Sequence, residues 1–125
     1  MSSPNPKPTY LYKILPASPP DPLPMALPLS PLDAKDGFIH LSTAIQVPET
    51  ASRFFTTSEF LCLLKIPLKR LEDGDGEVKW EESGSHGVFP HLYGGNLGKA
   101  EVEDVMRLER KKGEAWDGVL EGKLV

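Results

Sequence analysis

The sequence has a single cysteine, Cys62, and no run of apolar residues long enough to cross a membrane. One thiol cannot form an internal disulfide, so the hydrophobic core must hold the fold, and a reducing compartment is expected. A membrane-spanning helix needs about 20 apolar residues, and no signal-peptide pattern is present at the Pro/Ser-rich start. We therefore expect a cytoplasmic protein without a membrane partner, and a nuclear location stays open.

An excess of positive charge is also absent. The 125 residues include 14 Lys and Arg against 18 Asp and Glu, which gives a formal net charge of −4. General nucleic-acid binders present a basic surface, so the composition argues against that class, while a local pocket for a nucleotide is compatible with it. Hydrophobic residues make up 39% of the chain, enough for the core of one globular domain.

Helical periodicity is scarce, whereas proline is abundant near the N terminus. Residues 1–8 are rich in Pro and Ser and are predicted to be disordered. Prolines recur between residues 16 and 31, where they remove hydrogen-bond donors and fix φ, so this segment is predicted to be an extended crossover. It is either a tethering loop or a flap over a site. The domain body is predicted at 9–110, and 111–125 form a tail that packs as a short appendage or stays mobile.

Side-chain periodicity predicts five strands and one main helix. Apolar residues at Val47, Ala51, Phe54 and Phe55 have helical spacing, so they are predicted to form the buried stripe of a helix over 47–55. Residues 71–76 have the composition of an acidic turn. The predicted strands cover 9–15, 38–41, 60–66, 77–81 and 100–110. This order favours a small α+β domain, either a split β-sandwich or a mixed sheet.

The stretch from Asp36 to Thr43 is the first candidate for a functional site. Strand alternation places His40 and Ser42 on the face that also carries Phe38. His40 is either a site residue or a core histidine bonded to a carbonyl. Ser42 and Thr43 either contact a ligand or cap the following helix, whose exposed N terminus would suit a phosphate or carboxylate.

The stretch from Ser85 to Gly95 is the second candidate and is predicted to be a constrained loop. His91 and Tyr93 flank one residue, so they share a side and are predicted to line the same pocket as His40. The spacing of His40, His86 and His91 matches no standard zinc pattern, and no metal site is predicted. Arg53 lies off the helical stripe, where it is either a surface residue or a phosphate clamp.

Three blocks of the sequence resemble the signature of the DUF952 family, a domain of unknown function. They are Tyr12–Leu15, Asp36–Thr43 and Phe89–Gly94, and the resemblance spans about residues 10–108. The Pro-rich segment stands in place of a helical stretch that is usual in that family, and the C-terminal tail is an extension.

Ile39–Ser42, the helix with Arg53 and the strand 61–66 are similar to the core of RNA 2′-phosphotransferases. Those enzymes belong to the ADP-ribosyltransferase superfamily, which binds NAD between two small sheets. The resemblance implies an ADP-ribosyltransferase-like split sandwich with His40, Ser42 and Arg53 near a nucleotide pocket. Lys13 stands where the phosphotransferases have a catalytic histidine, and no glutamate can be assigned to the transferase role.

Two hypotheses about function follow. The first is a transferase-like enzyme that binds NAD or a related nucleotide, with His40 on the ribose or amide and Tyr93 stacked on a ring. The second is a non-catalytic module for a small ligand or peptide. The first hypothesis assigns catalytic roles to His40, His91 and Tyr93, and ligand-binding roles to Tyr12, Lys13, Ser42, Thr43 and Arg53.

Overall fold

Six strands and four short helices form the part of the chain that the structure describes, residues 4–84 and 86–125 of a computed structural model. In chain order they are β1 (Tyr10–Leu15), α1 (Pro31–Asp36), β2 (Ile39–His40), α2 (Gln46–Phe54), β3 (Phe60–Pro67), α3 (Leu68–Glu72), β4 (Glu77–Glu82), β5 (Val88–Tyr93), β6 (Asp104–Glu109) and α4 (Trp116–Leu120). Within these residues, no helix combines the length and the apolar character that a membrane span requires.

The strands form two antiparallel sheets of three strands each. Sheet A has the order β1-β3-β6, and sheet B has the order β2-β5-β4. The edge strand β1 meets the chain just after β2, where Tyr12 and Ser42 exchange backbone hydrogen bonds of 2.8 and 2.9 Å. The α+β class with two small sheets is therefore confirmed, while the ADP-ribosyltransferase-like assignment stays a prediction.

The central strand of sheet A, β3, is buried on both faces, which explains its continuous apolar run. Leu64 and Ile66 pack toward sheet B, in a core that includes Trp80. Leu61 and Leu63 alternate with them and pack against α2 and α4. Side chains of β1 alternate in the same way, with Leu11 toward sheet B and Tyr12 toward the helices, as expected for the strand predicted over 9–15.

The buried stripe predicted for α2 is confirmed for Val47 and Ala51, which are fully buried. The prediction is wrong for Phe54, which is 68% exposed. The helix ends at Phe54, and Phe55 leaves helical geometry with φ −125° and ψ 39°. Phe55 therefore packs against the core in place of its neighbour. Periodicity assumes that the helix continues, so it fails at the last turn.

Helices α1, α3 and α4 were not predicted, because they are too short to show a periodic stripe. Helix α1 begins at Pro31, where the missing amide donor costs nothing in the first turn. The side chain of Ser30 caps it by accepting from the amide of Asp33 at 3.1 Å, and Gly37 ends it with φ 81°. The crossover predicted over 16–31 therefore overlaps α1 at a single residue, Pro31, and residues 16–30 form no helix or strand.

The Pro-rich crossover is attached to the loop that precedes β6. The amide of Leu27 donates to the carbonyl of Leu97 at 2.7 Å, and the amide of Lys99 donates to the carbonyl of Pro24 at 2.9 Å. A Cβ at Gly98 would collide with the carbonyls of Pro24 and Met25, so glycine is required there. These contacts favour the tethering loop over the flap.

The tail contributes to the core through α4. Trp116 is fully buried, and its indole nitrogen donates to the carbonyl of Phe55 at 3.1 Å. Of the N-terminal segment predicted to be disordered, residues 1–3 lie outside the described residues. Lys7 forms an exposed ion pair of 2.8 Å with Glu72, a type of contact that contributes about 1 kcal/mol or less.

Candidate functional site

Four aromatic rings meet on the outer face of sheet B and form what we call the histidine cluster: Phe38, His40, His91 and Tyr93. The β2–β5 register pairs His40 directly with His91, so both side chains lie on one face. Their ring centroids are 5.3 Å apart. The ring of Phe38 lies 4.2 Å from His91, 4.6 Å from His40 and 5.0 Å from Tyr93.

His91 and Tyr93 belong to strand β5, whereas the sequence analysis predicted a loop; Ser85, in that stretch, lies outside the described residues. The misleading signal was Pro90, since proline is rare in a central strand. The carbonyl of Pro90 accepts from the amide of Leu41 at 3.1 Å. The N–H that proline lacks would point to the same side, so Leu41 and Pro90 form one backbone hydrogen bond where an ordinary antiparallel pair forms two.

His40 is held between two carboxylates of α1. Its Nδ1 lies 2.7 Å from Asp33 Oδ1 and its Nε2 lies 3.0 Å from Asp36 Oδ2. The backbone amide of His40 also donates to Asp33 Oδ1, at 3.2 Å. Carboxylates only accept hydrogen bonds, so both contacts are satisfied when both ring nitrogens carry a proton.

Asp33 is the buried centre of this network. Its second oxygen lies 2.6 Å from Nζ of Lys13, which also donates to the carbonyl of His40 at 3.1 Å. Burial by itself would raise the pKa of Asp33, but the hydrogen bonds from His40 and Lys13 outweigh burial and lower the pKa to about 2. Asp33 is therefore ionised at neutral pH, and it orients the imidazole of His40.

Glu81 on β4 binds the other half of the histidine cluster. Its Oε1 lies 2.8 Å from Nδ1 of His91 and accepts from the hydroxyl of Tyr93 at 2.7 Å. Because the carboxylate only accepts, Nδ1 of His91 is the donor in this contact. Lys79 completes this side, with Nζ 4.6 Å from the centre of the Tyr93 ring.

The same contacts shift the pKa values of Glu81 and Tyr93. The hydrogen bond from Tyr93 lowers the pKa of Glu81 the most, and the hydrogen bond from His91 lowers it further. The bond to Glu81 in turn raises the pKa of Tyr93, because the carboxylate stabilises the protonated phenol.

We expect the Glu81→Gln variant to lower the pKa of Tyr93 toward the ordinary tyrosine value, since it removes the negative charge. NMR of ¹³C-labelled tyrosine, followed from neutral to alkaline pH, measures this titration. Tyr10 and Tyr12, which do not contact Glu81, provide internal reference signals in the same spectra. An unaltered Tyr93 titration would show that the Tyr93–Glu81 hydrogen bond is absent in solution.

Thr43 and Ser42 form hydrogen bonds elsewhere in the fold and do not join the histidine cluster. The amide of Thr43 donates to Gln46 Oε1 at 3.0 Å, and the hydroxyl accepts from the amide of Gln46 at 3.4 Å. These reciprocal hydrogen bonds resemble those of a capping box and lie immediately before α2 begins at Gln46. Ser42 is 4% exposed, and its backbone forms the bridge between the sheets.

Tyr12 and Arg53 also lie apart from the histidine cluster. Tyr12 is 1% exposed and packs on the helix side of sheet A, opposite Lys13. The guanidinium of Arg53 lies 5.0 Å from the centre of the Phe54 ring, with Nε 3.9 Å from Glu49. Of the ligand-binding residues predicted from the sequence, the structure brings only Lys13 to the cluster.

Sequence reasoning missed the acidic partners Asp33, Asp36 and Glu81, along with Lys79. Glu81 lies in the strand predicted over 77–81, but its closeness to His91 depends on the β4–β5 pairing. Ser30 followed by Pro31 is a typical signal for the capped start of a helix. That signal could have placed Asp33, three residues after Ser30, in the first turn of a helix.

Metal binding is not suggested by the geometry. Among the described residues, no group of three or more His, Cys, Asp or Glu side chains is arranged to hold a metal ion.

Two cavities, of about 290 and 240 Å³, are lined by residues outside the histidine cluster. The rings of the histidine cluster pack on one another, and Phe38 covers His91, which is 6% exposed.

Comparisons with known proteins agree with this fold. Residues 24–105 match the model of the DUF952 family, described as a protein of unknown function. The crystal structure of protein CC0527 from Caulobacter crescentus is similar, with 31% identity and a TM-score of 0.67 over 86% of this chain and 92% of that chain. A double mutant of CC0527 matches with a TM-score of 0.66 and the same identity and coverage. The comparison with curated proteins gave no match. The chain belongs to the DUF952 family.

Proposed function

We propose that the protein is an ADP-ribosyltransferase-like enzyme that uses NAD or a related nucleotide, with the histidine cluster as its active site. The observation that carries the proposal is the position of Glu81, within hydrogen-bond distance of both His91 and Tyr93. Breaking the bond between a ribose and its nicotinamide builds positive charge on the sugar. A carboxylate beside that sugar stabilises the charge, as in glycoside hydrolysis.

The other members of the histidine cluster have complementary roles in this proposal. Nε2 of His91 accepts a proton from the attacking hydroxyl, while Glu81 holds Nδ1. His40, held through Nδ1 by the buried Asp33, donates from Nε2 to the ribose or the amide in place of its partly exposed partner Asp36. Tyr93 offers its ring for stacking on a planar base or nicotinamide.

The alternative, a non-catalytic binding module, is supported by one specific observation. Both ring nitrogens of His40 and the hydroxyl of Tyr93 already have hydrogen-bond partners within the histidine cluster. A network satisfied in this way is rigid, and rigidity suits a platform that recognises a small ligand or peptide without turnover.

Glu81→Gln separates the two functions. With NAD as substrate, we expect wild type to release nicotinamide, and we expect the variant to lose about 100-fold or more in rate, the effect of removing one group that stabilises transition-state charge. Chromatography measures the release, and calorimetry should show NAD binding within a few-fold of wild type. Glu82→Gln is the matched control, because Glu82 follows on the same strand, is exposed and points to the other face.

Each outcome of this experiment is informative. NAD binding without nicotinamide release by wild type would favour the non-catalytic module. If wild type neither binds NAD nor releases nicotinamide, the proposal that the protein uses NAD is refuted. Melting temperatures close to wild type in both variants would show that any loss of rate is not a loss of folding.

A further inference from the structure

A second candidate site lies in the cavity of about 240 Å³ between α3 and the loop that follows β5. None of the residues that line it belongs to the histidine cluster. Its apolar part is formed by Leu71 and Leu92, which are 3% and 2% exposed. A volume of this size holds about eight water molecules, which is below the range of drug-sized ligands and suits a smaller molecule.

Two glycine turns form the wall of this cavity. A Cβ on Gly76 would lie 2.8 Å from the Cα of Gly95, so the two turns touch through bare backbone. Gly94 also lines the cavity and has φ 69°, a backbone conformation that favours glycine. Bare backbone along this wall allows close approach by a ligand.

Charged residues of both signs line the cavity: Arg70, Asp75 and Glu101. None of the ion pairs in the described part of the chain involves these three residues. Oε1 of Glu101 is buried and has no hydrogen-bond partner among the described residues. A buried acceptor without a donor is costly, so this oxygen indicates a ligand that supplies an N–H group.

We infer that this cavity binds a small zwitterion, a free α-amino acid with an aliphatic side chain. Arg70 pairs with the ligand carboxylate in the manner of guanidinium–carboxylate contacts. Glu101 and Asp75 receive the ammonium group, and the aliphatic side chain covers Leu71 and Leu92. This binding is independent of the proposed action on a nucleotide.

Titration of the ¹⁵N-labelled protein with L-leucine tests the inference. The backbone amides of Gly76, Gly94 and Gly95 report on the cavity, and we expect them to shift saturably with Kd in the millimolar range, on the order of −4 kcal/mol. Leucine methyl ester, which has no carboxylate, and N-acetyl-leucine, which has no ammonium group, should bind at least about 5-fold more weakly. Both Arg70→Gln and Glu101→Gln should weaken L-leucine binding by a similar factor.

Arg107→Gln is the control variant, because Arg107 is exposed on β6 and does not line the cavity. Its binding of L-leucine should equal that of wild type. Absence of saturable glycine shifts in wild type would overturn the inference, and so would equal binding of L-leucine and its two derivatives. Shifts at His40 or His91 with none at the glycines would assign L-leucine to the histidine cluster and refute the second site.

Discussion

Replacing Asp33 with alanine is expected to lower the free energy of unfolding by about 3–5 kcal/mol at pH 7, the usual cost of removing one partner from a buried ion pair. The carboxylate is 2% exposed and binds Nζ of Lys13 at 2.6 Å and Nδ1 of His40 at 2.7 Å. Without it, the side chain of Lys13, which is 11% exposed, keeps only the carbonyl of His40 as an acceptor. Urea denaturation followed by circular dichroism measures the loss.

Asp36→Ala is the matched control for this prediction. Its side chain is 33% exposed and contacts the other nitrogen of the same imidazole at 3.0 Å. Partly exposed pairs of this kind contribute about 1 kcal/mol or less. Equal losses in the two variants would contradict the central position of Asp33.

The pKa of Asp33 also determines how stability changes with pH. In the folded protein this pKa is about 2, compared with 3.8 in the unfolded chain. The lowered pKa stabilises the fold by roughly 2 kcal/mol. This contribution is fully present above about pH 4 and is lost as the pH falls toward 2. The stability difference between wild type and Asp33→Asn should therefore narrow in acid, and a constant difference would contradict the lowered pKa.

Replacing Trp116 with alanine is expected to cost about 3–5 kcal/mol, the range for deleting a buried aromatic side chain. Trp116 is fully buried between α2 and sheet A, and its indole donates to Phe55. The guanidinium of Arg110 lies 4.7 Å from its ring. The substitution leaves a cavity and removes both contacts, and urea denaturation measures the result.

Phe54→Ala is the control for Trp116→Ala, because both remove a large aromatic ring near the same helix. Phe54 is 68% exposed, so its removal should change the free energy of unfolding by about 0.5 kcal/mol or less. A large loss for Phe54 together with a small loss for Trp116 would reverse the core assignment on this side of sheet A.

Part of the histidine cluster could be predicted from the sequence because it depends on local geometry. Alternation along the strand predicted over 38–41 placed Phe38 and His40 on one face, and the spacing of His91 and Tyr93 around one residue placed these two on one side of an extended segment. The carboxylates that hold the two histidines come from other elements. Asp33 reaches His40 from α1, a helix that follows the Pro-rich crossover, and no periodic signal marks its position.

The sequence by itself determined the α+β class, the presence of β1 and β3 and the DUF952 membership, since alternation and motifs are written in consecutive residues. Only the tertiary structure decided that Glu81 lies beside His91 and Tyr93, because the β4–β5 register joins them. It also decided that Trp116 is in the core and Phe54 in solvent, since packing at the end of α2 depends on α4. Contacts between separate elements follow from register and packing, which local patterns do not encode.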